Sequence, residues 1–522
     1  MARTPEAGVR GIARPLGELV RGRWRGAWPW GPLWLPLVAG LIAGALAAQV
    51  RDGDAAFGRG DYRAARAAYE RALKADSTNV RALYQIAILD SWDGRLGRSL
   101  ERFARLRRLQ PADADIMVAE ARVLSWADRT AASSALYDSV LVRSPERTDA
   151  LAGRARNAAW SGDLARAERL WRDALVRHPD EPELLIGLAQ TLSWEGQPAL
   201  GEAYAARARQ LAPTDRTVLE LERDLRAALR PEVRTSFDGA TDSDKNGFVA
   251  QEASYTAPLS AGVRGTLRAG WRHASLDTTM TGASYGAAGQ ATATLHGNVV
   301  VQAGIGIRRL APDSGAGTTA LTLGLGLRLR PARYIAAGIG YSRAPFDETA
   351  LLIRNGFMID AVDASVEISP SPRWSVSLGG GGAWFSDANR RFSAVGAILA
   401  RVLPGLQLGP FARIMAYDTN PGHGYFAPIR FTVLEGRAIA AWRRARWGVR
   451  ADGGVGSQQV DTSALAQVEW HLGLALTRGW GANNEVALQG VLTNSATASV
   501  SGKPPTAGFR YRALQLRFQQ GL

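Results

Sequence analysis

TTALTLGLGLRLR, Thr318 to Arg330, alternates apolar with polar or small residues at a period of two. Leu321, Leu323, Leu325, Leu327 and Leu329 fall on one side of an extended chain. Thr322, Gly324, Gly326, Arg328 and Arg330 fall on the other, because successive side chains of a strand point to opposite faces. The period excludes an amphipathic helix, whose apolar positions recur at three and four. A continuous leucine face backed by arginine predicts a β-strand with an apolar medium on one side and water on the other.

The pattern extends in both directions. VRGTLRAGWRH sets Val263, Leu267, Ala269 and Trp271 against Arg264, Arg268 and Arg272, and ALAQVEWHLGLAL sets Val468, Trp470, Leu472 and Leu474 against Gln467, Glu469 and His471. From residue 231 to 522 about 16 such strands can be placed, in the length range of membrane-spanning β-strands. The joints alternate in length. SAG, HGN, PAR, SPSPR, LPG, RARW and RGWGAN are short; TDSDKNG, TTMTGAS, PDSGAG, DETALLIRN, NPGHGYFAP and SATASVSGKPPTAG are longer and more polar. Short turns on one rim and long loops on the other predict a transmembrane antiparallel barrel, with turns in the periplasm and loops outside. A soluble sandwich accounts less well for two classes of joint and for so many outward aliphatic residues.

Upstream of Arg230-Pro231 the period changes to that of helices. Pro111, Pro145, Pro179 and Pro213 are spaced by 34 residues, as are Ala87, Ala121, Ala155 and Ala189, and as are Trp92, Trp126, Trp160 and Trp194. Ala65, Tyr69 and Ala72 share one helical face, repeated as Ala167, Trp171 and Ala174. Small residues there let antiparallel helices approach, and proline ends the second helix of each pair. The period and pattern resemble the tetratricopeptide (TPR) repeat, a solenoid that binds partners rather than catalysing reactions. The tryptophans end each first helix in SWDG, SWAD, AWSG and SWEG. They are candidates for a groove that stacks sugar rings or aromatic peptide groups. The competing reading, favoured by the apolar area an indole buries, is filler between neighbouring repeats.

The N-terminal RGRWRGAWPWGPLWLPLVAGLIAGALAAQ joins a basic flank to an apolar run ending Ala45-Leu46-Ala47. This order predicts a secretory signal peptide over residues 1–47, with an uncleaved anchor as the alternative. The expected organisation is therefore a signal peptide (1–47), a periplasmic TPR domain (48–230) and an outer-membrane β-barrel (231–522). The fold class is multidomain α + β: an all-α solenoid followed by the barrel.

A signal peptide, TPR repeats with an SWxG joint and a C-terminal barrel resemble the YaiO family of outer-membrane proteins. The larger exporters of cellulose and poly-N-acetylglucosamine share that order. The resemblance implies an outer-membrane location and a role connected with exopolysaccharide. It also implies outer-membrane lipid and the barrel-insertion machinery as partners, with a periplasmic protein or polysaccharide at the TPR groove. The chain ends RFQQGL, so Phe518 lies short of the terminal position where such barrels commonly carry an aromatic.

Other chemistry is sparse. Cysteine is absent, which excludes disulfides and thiolate sites. The net charge of +15 is scattered along the chain, against the clustering that nucleic-acid binding requires. DSDKNGFVAQE begins like an EF-hand loop but has Ala253 where the bidentate Glu belongs, and reads as a hairpin turn with Asn-Gly at its tip. The histidines show no metal spacing, no nucleophile elbow or phosphate loop occurs, and neither an enzyme nor a cofactor or metal is expected. Arg264, Arg268, Arg272, Arg308, Arg328, Arg330, Arg450 and Arg517 are the candidate pore-lining residues, sharing the inward face with Asp363, Glu367, Asp452 and Glu469. Ion-pair bracing of the wall is the favoured role, a cationic path for anions the sharper one. Two functions follow: transport or export of a polysaccharide or solute, or a non-conducting barrel anchoring a docking scaffold.

Overall fold

The computed structural model describes residues 48–295, 298–332, 334–371, 373–461, 465–481, 483–496 and 509–522. The expected signal peptide lies outside the described residues, as do His296 and most of SATASVSGKPPTAG. Two compact units are separable, Met1–Ile116 and Met117–Leu522. A solenoid has no single core, because each repeat packs only on its neighbours, so this division falls inside the helical array. The change from helix to strand falls where the sequence places it, between Leu229 and Glu232.

In the first unit, residues 48–58 form helix α1, followed by α2 (Tyr62–Ala75), α3 (Val80–Trp92) and α4 (Leu96–Leu109). The second unit opens with α5 (Ala114–Trp126), whose first residues lie before the division. It continues through α6 (Thr130–Arg143), α7 (Thr148–Trp160), α8 (Leu164–Arg177), α9 (Pro182–Trp194), α10 (Pro198–Leu211) and α11 (Arg216–Leu229). Each 34-residue proline follows the C-cap of an even-numbered helix: Gln110 caps α4, Ser144 α6, His178 α8 and Ala212 α10. Tyr69, Phe103, Tyr137 and Trp171, one per repeat, are all buried. Glycine makes room for three of them: a Cβ on Gly53, Gly153 or Gly187 would lie within 2.5 Å of the Tyr69, Tyr137 or Trp171 ring.

Sixteen antiparallel strands, β1 (Glu232–Asp242) to β16 (Tyr511–Gly521), close into a barrel by pairing first with last. Glu232 lies opposite Gly521, so both ends of the barrel sit on one rim, the one that carries the short turns. At the LPG turn Gly405 has φ +81°, and a Cβ there would meet the Ala441 carbonyl at 2.3 Å, so only glycine fits. Two stretches expected as loops, TDSDKNG and TTMTGAS, are mostly strand: the connections shorten to 243–245 and 277–279. The first hairpin turns on Lys245, at φ 67°, while Asn246-Gly247 already pair in the ladder. The side chain of Asp242 accepts from the Asn246 amide and supplies the turn chemistry expected of Asn-Gly.

Outward positions carry Ile305, Leu325, Ile339, Leu378, Leu434, Val455, Leu472 and Leu474, all exposed. Exposed aromatics flank this band: Tyr334, Trp374, Trp442 and Trp447 toward the short-turn rim, Trp271, Tyr285, Trp384 and Phe392 toward the other. An apolar belt between two aromatic girdles is the surface of an outer-membrane-type barrel. Phe518 joins the lower girdle, its ring 5.8 Å from that of Trp480. Among the described residues no helix is long and apolar enough to cross a membrane.

Candidate functional site

Two of the long connections fold into the barrel mouth. Residues 346–357 carry the short helix α12 (Ala350–Asn355), capped by Thr349 and ended by Gly356 at φ +65°. Ala350 and Ile353 of α12 pack on Ala274 and Leu310, residues of the inner wall. The loop is pinned beside the helix, where Arg308 reaches Asp347 at 2.7 Å and Ser284 donates to the same carboxylate. The second connection, 418–430, contains NPGHGYFAP, which the sequence assigns to the outer surface. Its first residues are partly or fully exposed, but Tyr425, Phe426 and Ala427 are buried. Three apolar residues in a row cannot remain in water when an apolar wall stands beside them. The Tyr425 ring stacks on Phe385, centroids 5.0 Å apart and 3° from parallel. Tyr425 donates to Asp387 at 2.8 Å and accepts from Asn389. Burial opposes ionisation of Asp387, but hydrogen bonds from His423 and Tyr425 outweigh it and hold the carboxyl below its ordinary range. The resulting plug closes over a cavity of about 690 Å³ whose lining includes Glu348, Asp363, Arg391 and Arg413.

All eight candidate pore-lining arginines occupy the inward register of their strands, opposite in parity to the exposed aliphatics. Their uses differ. Arg264 donates to the Ala228 carbonyl at 2.8 Å and so satisfies the end of α11. Arg268 donates to Gln290, Arg272 lies 4.4 Å over the Phe248 ring, and Arg308 anchors the plug. Arg517 lies 3.5 Å from Glu485 and Arg450 3.9 Å from Asp452. Arg328 and Arg330 are exposed to the lumen water, with no ion pair among the described residues. Bracing and open cationic wall therefore coexist, on different residues. Further inward arginines, Arg234, Arg391, Arg401, Arg413 and Arg437, follow from the same dyad rule and extend the set.

A cluster of charge inside the barrel sits on three consecutive strands, β12 (Phe431–Arg444), β13 (Trp447–Val460) and β14 (Gln467–Trp480). Glu435 comes from β12, Asp452 from β13, and Glu469 and His471 from β14. Inward positions 454 and 456 of the middle strand are glycine, and the side chains of the outer two meet across the gap. A Cβ on Gly454 would stand 2.6 Å from both Glu435 Oε2 and His471 Cε1. His471 Nδ1 is 3.1 Å from Glu435 and its Nε2 2.9 Å from Asp452. Asp452 in turn accepts two bonds of 3.0 Å from Arg437. The sequence gives Glu469, His471 and Asp452 an inward face. It does not show that they converge with Glu435; the GGVG run of β13 is the signal that could have.

In the solenoid the four tryptophans end α3, α5, α7 and α9, at 52, 42, 38 and 49 % exposure for Trp92, Trp126, Trp160 and Trp194. They are not filler. The interior is filled instead by the second-helix aromatics, which lie next to the glycines and alanines of the pattern. Trp92 belongs to an aromatic group with Phe57 and Tyr62, at 5.5 and 5.3 Å. Glu195, directly after Trp194, is 1 % exposed, and neither carboxylate oxygen has a hydrogen-bond partner among the described residues.

No family model and no curated protein matches the chain. Among solved structures it is similar to a bacterial polysaccharide outer membrane secretin, at 16% identity, covering 56% of this chain and 99% of that chain with a TM-score of 0.46. It is similar to PilW, a widely conserved type IV pilus biogenesis factor, at 23% identity over 35% of this chain and 86% of that one, TM-score 0.33. A thermophilic TPR protein of Thermus thermophilus matches at 22% identity over 35% of this chain and 98% of that one, TM-score 0.31.

Proposed function

We infer that the chain is an outer-membrane conduit for a polysaccharide or other hydrophilic solute, with its TPR repeats on the periplasmic side. The observation that carries this reading is the barrel interior. Its wall bears inward arginines and carboxylates and encloses a water-accessible cavity, and its mouth is closed by two docked loops rather than by a filled core. Chain direction supports a periplasmic solenoid, since α11 enters on the rim of short turns, the periplasmic rim of such barrels. The exposed indoles at the first-helix ends supply flat apolar surfaces suited to sugar rings or aromatic peptide groups. The SWxG joints and the repeat-plus-barrel order resemble YaiO proteins, in keeping with a polysaccharide as the cargo.

The extent of the apolar plug favours a second reading, a non-conducting barrel that anchors the repeats as a docking scaffold. Reversal potentials in planar bilayers under a KCl gradient separate the two. A conduit lined by the lumen-exposed Arg328 and Arg330 passes current with a preference for chloride, and neutral oligosaccharides added to the chamber block it. Absence of conductance at any holding potential supports the anchor.

A further inference from the structure

We propose that Glu435, Glu469 and His471 form a binding site for one divalent transition-metal ion inside the barrel wall, with Asp452 and Arg437 as positioning residues. The proposal does not depend on whether the barrel conducts.

One ligand atom from each of the three residues can be chosen so that all lie within 4.8 Å of one another. Oxygen and nitrogen ligands at about 2.0–2.2 Å from an ion stand roughly 3–4 Å apart, so small side-chain rotations close the site. Glu435 is 4 % and Glu469 3 % exposed, and Glu469 Oε2 has no hydrogen-bond partner among the described residues. A buried carboxylate facing a second buried carboxylate is a costly arrangement unless a shared proton or a cation lies between them.

The imidazole is also set up as a ligand. A metal-bound histidine typically donates its other N–H to a carboxylate, which fixes the tautomer and the ring plane. His471 Nε2 lies 2.9 Å from Asp452 Oδ1. Asp452 is itself held through both oxygens by Arg437, so its charge is already answered and it serves to orient. Nδ1 remains, aimed at Glu435. Binding replaces the Nδ1 proton by the ion and releases that proton to solvent; the two carboxylates then balance the double charge. One nitrogen and two carboxylates select ions such as Zn²⁺, Co²⁺, Mn²⁺ or Fe²⁺ over Ca²⁺ and Mg²⁺, which take oxygen ligands. The glycines at 454 and 456 make the site possible, because any side chain there would occupy the space in which the ligands meet.

The test uses the untagged full chain folded in detergent, stripped with a chelator and dialysed. Co²⁺ is titrated by its visible absorption, Zn²⁺ by equilibrium dialysis, and folding of each variant is checked by heat-modifiable gel migration. Wild type is expected to take up one ion per chain, with Zn²⁺ displacing Co²⁺. Glu469→Gln, nearly isosteric, abolishes the Co²⁺ spectrum, and Asp452→Asn weakens binding about 10- to 100-fold, as loss of an orienting carboxylate does. His423→Ala, at the separate His423–Asp387 pair, leaves binding unchanged. Zn²⁺ raises the unfolding temperature of wild type and not of Glu469→Gln, a readout that stands even if His471→Ala does not fold. Failure of wild type to bind either ion overturns the proposal and leaves a proton shared between the two glutamates. Equal binding by wild type and Glu469→Gln overturns it as well.

Discussion

Trp171→Ala and Trp160→Ala remove the same side chain from the same solenoid and should differ up to about two-fold in cost. Trp171 is 2 % exposed, packed against Gly187 at a distance no Cβ would tolerate, and donates through Nε1 to Thr191 at 3.0 Å. An indole buries roughly 200 Å², worth about 5 kcal/mol at 25 cal/mol per Å². Truncation in a core that relaxes only partly costs about 3–5 kcal/mol. Thr191 retains a partner, because its hydroxyl donates to the Gly187 carbonyl, so no orphan adds to that figure. Trp160, at 38 % exposure, opens a notch that water fills, and with no cavity left behind its loss should cost about 2–3 kcal/mol by the same bookkeeping. For a helical segment of this size each kcal/mol moves the midpoint by about 2–4 °C, giving a drop near 10 °C for Trp171→Ala and about half that for Trp160→Ala. Helical ellipticity at 222 nm followed on heating the full chain in detergent reads both. Equal shifts, or a larger one for Trp160, would refute the assignment of interior and surface aromatics.

Glu195 gives the solenoid a pH dependence. Burial first and Glu168 second push its carboxyl from 4.5 up to about 7, so the fold favours the protonated form. Stability is then full below about pH 4.5 and declines toward pH 7, by at most roughly 3 kcal/mol; Glu195→Gln should flatten that slope and raise the melting temperature at pH 7.5. An epitope between Gly422 and His423, on the exposed part of the second plug loop, should be labelled on intact cells, and one at Ser369–Arg373 only after permeabilisation. The same insertion between Tyr425 and Phe426 should disrupt the plug and lower yield or heat-modifiability. Arg308→Ala removes the 2.7 Å tie to Asp347 and should make 346–357 more open to protease in the folded barrel without altering strand content.

The barrel was legible because its two-residue period is imposed by the pleat, and lipid makes any lapse on the outer face expensive. Leu321 to Leu329 suffice to assign one strand, and the parity that places Arg328 inward holds for every candidate arginine. What those arginines do was not legible. Arg264 caps a helix and Arg308 anchors a loop through partners about 36 to 39 residues away in sequence, and a periodic pattern carries no information on such pairs. The repeat was equally plain, but the recurring tryptophan drew the eye to the wrong interior: a residue fixed at one position of a repeat can be fixed for the surface. NPGHGYFAP reads as polar from its turn formers, and the burial of Tyr425 to Ala427 is a consequence of the wall beside them. Convergence of Glu435 with His471 needs the glycines of an intervening strand, a three-strand property that no single segment displays.

Single-channel recording of the full chain against a variant with residues 347–356 and 420–428 each replaced by a short Gly-Ser turn tests the conduit most directly. With both docked loops gone, the cavity should open to the outer side. Wild type is expected to show small, infrequent steps, and the variant steps several-fold larger that are long-lived. If neither protein conducts although both migrate as folded barrels, the interior is not a passage and the chain is an anchored scaffold.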